Sequence, residues 1–397
     1  MGIGERYPAE WETSEDEETG RIVQRLTTAR ANSYPLYYFV PSHTPDGRAL
    51  VFHSERSGWV QLYVMDLQSG EMVQLTDGRT QDSGWGVWCE YRLRGIYNHL
   101  SALNGARREV YSFQDEEIRC THLDTLENRV VHRIPGRIPV GQAGFSPDGR
   151  HFAFIHADRA RFTRAMADRE ARLNMKQFSW GAHHNAWRNG LPTTIGIIDT
   201  DTGAYRDVIA LDYHVHHVFF LGDDRLLVNH PKDDSGMWTV NLDGTGVRVL
   251  RPRDENGTIC HQVVTQRGVF YEANLCEGSK RTVWFGRYDP DRDSHEEVRL
   301  PEVDYVHTGY DPEGRFLFFE NMGASHELVS VHHPHDPDRF RLNLLRRLPS
   351  IPFGQRFHAH PFLSPQRDRV FYTELVDGFS QVCALDVSDL VDLDEYW

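Results

Sequence analysis

The sequence predicts an all-β fold, a seven-bladed β-propeller closed by its own N-terminal strand. Three observations indicate this fold: a strand-and-turn unit recurs along the chain, the last unit stops one strand short, and an outer-strand sequence stands alone near the N-terminus. The length of 397 residues suits this fold, because propellers commonly reach such a size as one domain. We therefore expect residues 1–397 to form a single propeller domain.

The clearest copy of the repeat spans residues 42–76 and reads SHTPDGRALVFHSERSGWVQLYVMDLQSGEMVQLT. Apolar residues alternate within each of its segments, and turn residues separate the segments, which is the pattern of short antiparallel strands. Looser copies begin near residues 145, 220, 265, 311 and 364, and a weak copy fits between residues 85 and 134. Several four-strand units in series are typical of a propeller.

The two ends of the chain predict how the ring closes. The last copy ends after its third strand, at residues 382–387, and an acidic tail follows. Residues 19–27, TGRIVQRLT, nearly repeat SGEMVQLT at residues 69–76, the outer strand of the first copy. We therefore expect residues 22–26 to complete the last blade, which would remove an open sheet edge. The alternative is an open solenoid with capping repeats.

One repeat contains a long insertion, residues 158–191, in which residues 164–178 are predicted to form a helix. The insertion is rich in cations, among them Arg159, Arg161, Arg164, Arg172, Lys176 and Arg188. An insertion of this size usually overhangs one face of the ring and would then act as a lid. The alternative is an ordinary solvated surface helix.

Composition excludes several classes of function. The formal net charge is −15, and Lys and Arg are dispersed among acidic residues, which argues against a nucleic-acid partner. No secretory leader or membrane-spanning apolar run is recognisable, and the five cysteines contain no CxxC pair, so we expect a cytoplasmic protein with reduced thiols and no membrane partner. The chain lacks G-x-S-x-G and Walker motifs, which excludes a fused serine hydrolase and a P-loop. We expect a monomer or dimer.

The 22 histidines are most informative where they share one position of the repeat. When the copies are aligned on the turn that follows the first strand, the residues five places before the proline position are Val40, Gln142, His217, His261, His307 and His360. Four successive blades thus place histidine on the innermost strand, beside the central channel of a propeller. Packing histidines repeated by duplication are one explanation, and a metal site is the other.

The segment His358-Ala359-His360 favours the metal site, because residues two apart on a strand face the same side. Gln355 lies three residues before His358 and could add an oxygen ligand. Three imidazoles and an amide oxygen suit Mn²⁺, Fe²⁺ or Zn²⁺ better than Ca²⁺. We therefore expect a divalent metal cofactor.

At these residues the chain resembles the oligogalacturonate lyase family, and the resemblance covers nearly the whole sequence. It extends from TGRIVQRLT and the YYF…TPDG segment, through HQVVTQRG, to FHAHPFLSP. The resemblance implies that Mn²⁺ is held by His307, Gln355, His358 and His360, and that His261 is the general base. His217 and His230 match positions near residues that line the substrate site, and His217 is the alternative base.

One position departs from the family pattern. The resemblance implies an arginine just before Met237-Trp238 that grips the substrate carboxylate, but this chain has Gly236 there. Lys232 is the nearest cation in the sequence, and we expect it to meet the substrate charge together with Arg188 of the insertion. Otherwise the enzyme recognises a uronide other than galacturonate.

The implied reaction is metal-dependent β-elimination of short uronic-acid oligosaccharides, with oligogalacturonate from pectin degradation as the first expectation and 4,5-unsaturated sugars as products. A cation neutralises the carboxylate next to C5, and a neutral histidine then removes the C5 proton. The partner is therefore a small anionic oligosaccharide. The alternatives are a lyase for another uronide or oxidised sugar, a non-catalytic ligand-binding propeller, and a metal-dependent hydrolase with saturated products.

Overall fold

The computed structural model describes residues 2–81, 83, 93–173, 190–229, 235–252, 257–277, 280–300, 304–336, 338–352 and 354–391. The described strands form seven antiparallel sheets. Six of them are built around a four-strand meander in chain order, and the seventh combines the last three strands with two strands from the N-terminal segment. This confirms the predicted seven-bladed β-propeller. The chain divides into two compact units, which are described separately: a terminal unit, Met1–Leu75 with Asp254–Trp397, and a middle unit, Thr76–Arg253.

The terminal unit begins with three short strands and the first blade. The N-terminal strands are β1 (Arg6–Tyr7), β2 (Glu12–Glu15) and β3 (Ile22–Arg25). Blade 1 consists of β4 (Ser33–Pro35), β5 (Ala49–Ser54), β6 (Gln61–Asp66) and β7 (Met72–Gln74), with β1 added outside β7. The two central strands are almost wholly buried, in keeping with their apolar sequence.

The middle unit contains three blades. Blade 2 consists of β8 (Ala102–Asn104), β9 (Glu109–Gln114), β10 (Glu117–His122) and β11 (Asn128–Arg133), at the place of the weak sequence copy. Blade 3 consists of β12 (Arg137–Pro139), β13 (Gly144–Phe145), β14 (His151–Asp158), β15 (Thr193–Asp199) and β16 (Tyr205–Leu211), and both β12 and β13 pair with β14. Blade 4 consists of β17 (Val218–Phe220), β18 (Arg225–Asn229), β19 (Ser235–Asn241) and β20 (Arg248–Pro252).

The remaining blades belong to the terminal unit. Blade 5 consists of β21 (Gly257–Thr265), β22 (Gly268–Glu277), β23 (Lys280–Asp289) and β24 (Ser294–Leu300). Blade 6 consists of β25 (Tyr305–Thr308), β26 (Phe318–Met322), β27 (His326–His332) and β28 (Arg341–Leu348). Blade 7 consists of β29 (Phe362–Leu363), β30 (Arg369–Val376) and β31 (Phe379–Asp386), followed in space by β3 and β2.

The recurring Pro-Asp-Gly turn ends in glycine because its last residue has a left-handed backbone. In blade 1 the Gly47 amide donates to the Thr44 carbonyl at 2.8 Å, and Gly47 has a φ of +66°. In blade 3 Gly149 makes the equivalent bond to Ser146 at 2.8 Å with a φ of +71°. A left-handed backbone favours glycine because a Cβ atom would be strained there. This turn sets the register of the first two strands of the blade.

The N-terminal strand closes blade 7 as predicted. Strand β3 pairs antiparallel with β31, with Gln24 opposite Ala384, and the Leu26 amide donates to the Val382 carbonyl at 2.8 Å. The sequence did not predict β1 and β2, which extend the outer edges of blades 1 and 7 respectively. The Asp16 side chain stabilises the turn between β2 and β3 by accepting a hydrogen bond from the Thr19 amide at 2.7 Å.

The insertion in blade 3 begins with helix α1, Arg159–Leu173, which starts five residues before the predicted start. Arg159 donates to the carbonyl oxygens of Asp115 and Arg137, at 3.0 and 3.2 Å, so this cation anchors the helix to blades 2 and 3. Lys176 and Arg188 lie outside the described residues, as does the predicted end of the helix. In the part of the chain that the structure describes, no helix is long and apolar enough to cross a membrane.

Closure by β3 makes a stability prediction. Leu26 is fully buried in a cluster with Phe371 and Val382, so Leu26→Ala should lower the free energy of unfolding by about 2–5 kcal/mol. Ile22, on the same strand, is 46% exposed, so Ile22→Ala should change the free energy of unfolding by no more than about 0.5 kcal/mol. Guanidinium denaturation of both variants measures the difference. Equal effects would mean that the closing strand contributes little to the native state.

Candidate active site

A buried carboxylate, Glu320, lies at the centre of the candidate site in blade 6. His307 on β25 is opposite Glu320 on β26, and its Nδ1 atom donates to Glu320 Oε2 at 2.6 Å. Both side chains are at most 1% exposed. Burial lowers the pKa of His307 to about 3, although Glu320 opposes the shift, so the imidazole is neutral at pH 7. A neutral imidazole with its proton on Nδ1 has its lone pair on Nε2.

The other oxygen of Glu320 accepts three further hydrogen bonds. The donors are His326 Nε2 at 2.8 Å, His358 Nδ1 at 3.2 Å and the Ala359 amide at 3.0 Å. Burial raises the pKa of Glu320, but its histidine partners outweigh burial and hold the pKa well below the usual value. Burial lowers the pKa of His326, but Glu320 outweighs it and raises that pKa. One ionised carboxylate therefore fixes the orientation of three imidazoles and of the chain at Ala359.

The three histidines predicted as metal ligands lie close together in the terminal unit. The ring centre of His307 is 4.9 Å from that of His358 and 4.4 Å from that of His360. His360 Nε2 lies 3.1 Å from Gln355 Oε1. Two ligand atoms bound at right angles to one ion, each at about 2.1 Å, would lie about 3.0 Å apart. The spacing of His360 and Gln355 therefore fits two ligands of one divalent cation, and the ligand atoms of His307, His358 and Glu320 lie within 4.8 Å of one another.

The segment around His358 and His360 is not a strand, contrary to the argument from a two-residue period. Gln355–Phe357 form a 3-10 turn, and β29 begins only at Phe362. His360 has a left-handed backbone with a φ of +44°, which is rare for a residue with a Cβ atom. The two rings are stacked 5.9 Å apart. Their proximity is as predicted, but Glu320 and this backbone conformation produce it.

His261 lies beside this cluster, at a bulge in β21 of blade 5. The pairing with β22 shifts between Cys260 and Val263, and His261 has a φ of +51°. A bulge of this kind redirects a side chain out of the regular strand pattern. The His261 ring centre is 4.7 Å from that of His307, and its side chain is 21% exposed, whereas His307 is buried. Solvent and small ligands can therefore reach His261.

The Nδ1 atom of His261 is hydrogen-bonded to Glu272 Oε2, a fully buried carboxylate on β22. Because an ionised carboxylate only accepts hydrogen bonds, this contact places the imidazole proton on Nδ1. The lone pair of the neutral ring then lies on Nε2. His261 and Glu272 thus repeat in blade 5 the arrangement of His307 and Glu320 in blade 6.

His217, the alternative base, has a different partner in the middle unit. The Asn229 Oδ1 atom accepts a hydrogen bond from the His217 amide at 3.1 Å, so its Nδ2 group faces His217 Nδ1 at 2.7 Å. An amide NH₂ group only donates, and His217 Nδ1 must accept. The neutral ring then has its proton on Nε2, where it can donate but not abstract a proton. This tautomer does not suit a general base.

Two tyrosines pack against the histidines, and neither was among the predicted site residues. Tyr37 and Tyr38 precede the second strand of blade 1, in the terminal unit, and both are buried. The Tyr38 ring centre is 5.0 Å from that of His307, and the Tyr37 ring centre is 4.6 Å from that of His360. They give the cluster an apolar wall, and burial raises the pKa of Tyr38 well above the usual value, so its hydroxyl stays protonated.

The predicted substrate residues His230, Lys232 and Arg188 lie outside the described residues. Gly236, at the place where the resemblance implies an arginine, lies on β19. Glu272 and Glu320 were not predicted, although the sequence contains a signal for them. Each interrupts an apolar second strand, in FYEANL and FFENM, on the strand that follows His261 or His307. A charge on a strand buried on both faces requires a partner.

Fold and site together define a β-propeller with a buried histidine–carboxylate centre that can hold a divalent cation. No protein-family model matches the chain. The sequence is 21% identical to an oligogalacturonide lyase of Pectobacterium atrosepticum and 20% identical to an oligogalacturonate lyase of Dickeya dadantii. Both alignments cover 98% of this chain and 100% of the relative.

Solved structures of oligogalacturonate lyases are similar to this chain in fold. An oligogalacturonate lyase from Vibrio parahaemolyticus superimposes with a TM-score of 0.78 at 20% identity, covering 97% of this chain and 98% of that one. An oligogalacturonate lyase in complex with manganese gives a TM-score of 0.80 at 20% identity, covering 98% and 100%. The full-length resemblance to oligogalacturonate lyases and the propeller fold predicted from sequence are confirmed.

The position of Glu320 makes a prediction about stability. Glu320→Ala leaves three imidazoles and a backbone amide without their buried acceptor, so the free energy of unfolding should fall by about 3–5 kcal/mol. Glu296→Ala, at a 41% exposed position, should cost no more than about 1 kcal/mol. Denaturant titration of the two variants measures this. Similar costs would show that Glu320 does not organise the cluster.

Proposed function

We propose that this protein is a metal-dependent lyase that cleaves short uronic-acid oligosaccharides, oligogalacturonate first among them, by β-elimination to 4,5-unsaturated products. One observation supports this most directly: His307, one of the three histidines that we propose as metal ligands, lies with its ring centre 4.7 Å from that of His261, whose Nδ1 atom is hydrogen-bonded to the buried carboxylate of Glu272. The full-length similarity to proteins named as oligogalacturonate lyases supports the same reaction.

His307, His358, His360 and Gln355 would hold the cation, which we propose to be Mn²⁺ because one similar structure is a manganese complex. Imidazole nitrogens with one amide oxygen suit a first-row ion better than Ca²⁺. When bound, the cation supplies Lewis-acid neutralisation of the substrate carboxylate. Glu320 orients His307 and His358 through their Nδ1 atoms, as outer carboxylates commonly do for metal-ligand histidines.

His261 would act as the general base. Its Nε2 lone pair accepts the C5 proton, which is acidic enough only when the charge of the adjacent carboxylate is neutralised, and the electron pair left on C5 expels the oxygen at C4. Glu272 holds the ring in the required tautomer and stabilises the imidazolium that forms. His217 does not fit this role, because the Asn229 amide directs its proton to Nε2. The bulge at His261 aims the side chain away from the regular strand pattern.

The substrate is an anion, and the protein has a net charge of −15, so local cations must offset long-range repulsion. We propose that Lys232, Arg188 and His230 contact the substrate. Gly236 supports a second candidate function, a lyase for another uronide, because it removes the arginine that the family resemblance implies. The two candidates share the reaction and differ in the sugar.

The reaction can be tested directly by ultraviolet absorbance of the unsaturated uronate product. Purified protein is incubated with digalacturonate and Mn²⁺, with and without EDTA, and we expect a rise in absorbance that EDTA abolishes. A rise only with a different uronide would select the second candidate. No rise with any uronide, in protein that lacks a bound metal, would leave a non-catalytic propeller.

Two histidine variants separate the base from a ligand. His261→Ala should reduce kcat by about 10²–10⁴-fold, because general-base catalysis contributes that much, while one metal per chain stays bound. His358→Ala should lose both the metal and activity. Metal content is measured by mass spectrometry alongside kcat, with the 43% exposed His335→Ala as control. Loss of metal in His261→Ala would instead make His261 a ligand.

A further inference from the structure

We propose that Cys260, His261 and Glu272 form a second cation site, specific for thiophilic ions such as Zn²⁺ and Co²⁺, whose occupation inhibits the enzyme. Each of the three residues offers one ligand atom, and these atoms lie within 4.8 Å of one another. The ligand atom of His261 is Nδ1, on the opposite side of the ring from Nε2. Cys260 Sγ lies 3.7 Å from His261 Nδ1 and 3.5 Å from Glu272 Oε2.

These distances match a metal site. In a tetrahedral zinc centre with Zn–S of about 2.3 Å and Zn–N or Zn–O of about 2.0 Å, sulfur lies about 3.5 Å from each of the other ligands. Only the hydrogen-bonded pair of His261 and Glu272 must separate to admit an ion. Asn274 Nδ2 lies 3.9 Å from Cys260 Sγ, on the border of the cluster, where a water or the amide could take the fourth position.

The two sites differ in chemical preference. The site at His307, His358, His360 and Gln355 contains no sulfur and suits Mn²⁺, whereas a thiolate favours Zn²⁺ or Co²⁺ over Mn²⁺. Glu272 is fully buried, but Cys260 is only partly buried and the His261 side chain is 21% exposed, so an ion from solution has access. The second site would therefore bind Zn²⁺ more tightly than Mn²⁺.

Inhibition follows from the position of one proton, and this part of the inference rests on the proposed function. When the ion binds, the Cys260 thiol releases its proton to solvent. The Nδ1 proton of His261 also passes to solvent while Nε2 takes one up, so that Nδ1 can donate its lone pair to the ion. The neutral imidazole then has its remaining proton on Nε2. An Nε2–H group cannot accept the C5 proton of the substrate. Zinc bound at the second site would thus switch off the base.

Cobalt absorption tests the site without any assay of activity. Full-length protein titrated with Co²⁺ should show the intense near-ultraviolet band of thiolate-to-cobalt charge transfer. Cys260→Ala should abolish the band, while Cys120→Ala, at a buried cysteine of the middle unit, and His358→Ala should retain it. A wild-type protein without the band, or a band that survives in Cys260→Ala, would overturn the proposed site.

Zinc inhibition tests the consequence. Mn²⁺-loaded wild-type enzyme should lose activity at Zn²⁺ concentrations lower than those that release its manganese, and manganese content is measured at each concentration. Cys260→Ala should need at least about tenfold more Zn²⁺, since even an outer partner of a metal ligand contributes about 10–100-fold to affinity. Equal sensitivity of the two proteins would overturn the inhibitory role. A cobalt band in protein without lyase activity would instead keep the site and reject the proposed function.

Discussion

The candidate site depends on one buried carboxylate that is shared by several histidines. Glu320 accepts hydrogen bonds from His307, His326, His358 and the Ala359 amide, and its side chain is inaccessible to water. An ionised carboxylate at such a position is tolerated only because its donors replace the lost hydration. In return, these bonds fix two of the three proposed ligand histidines with Nε2 available to an ion, and they anchor the turn that carries His360. Blades 6 and 7 are thus joined at the place where the chemistry is expected.

The same arrangement recurs in three successive blades with one change that alters the imidazole tautomer. The histidines His217, His261 and His307 each lie beside a polar residue on the second strand of their blade, which is Asn229 in blade 4, Glu272 in blade 5 and Glu320 in blade 6. An amide nitrogen donates and a carboxylate accepts, so the neighbouring imidazole has its proton on Nε2 in the first case and on Nδ1 in the other two. A duplicated structural unit has in this way acquired different protonation patterns. The role of each histidine is set by its neighbour and not by its own position alone.

Much of the fold could be predicted from the sequence, because turn chemistry and strand alternation are local signals. The Pro-Asp-Gly turns and the orphan segment at residues 19–27 identified the blades and the closing strand β3. Strands β1 and β2 were not predicted, since two- and four-residue polar strands have no alternating apolar pattern. The column of histidines identified where the site lies. The orientation of the histidine side chains could not be predicted from the sequence. It depends on Glu272 and Glu320 and on the left-handed backbone at His261 and His360.

The pairing of the two chain ends has a consequence for biosynthesis. The Thr27 hydroxyl donates to Gln381, 354 residues further along the chain, next to the strand pair that completes blade 7. At a translation rate of about 5–20 residues per second, the N-terminal segment must wait about 20–70 s on the ribosome before its partner strand exists. During that interval an unpaired apolar strand can associate with other nascent chains. Arg21 and Arg25 flank Ile22 and Val23 and pair with Asp389 and Glu12 in the finished protein. Charges placed beside apolar strand residues in this way are the general pattern by which sequences keep unpaired strands from associating.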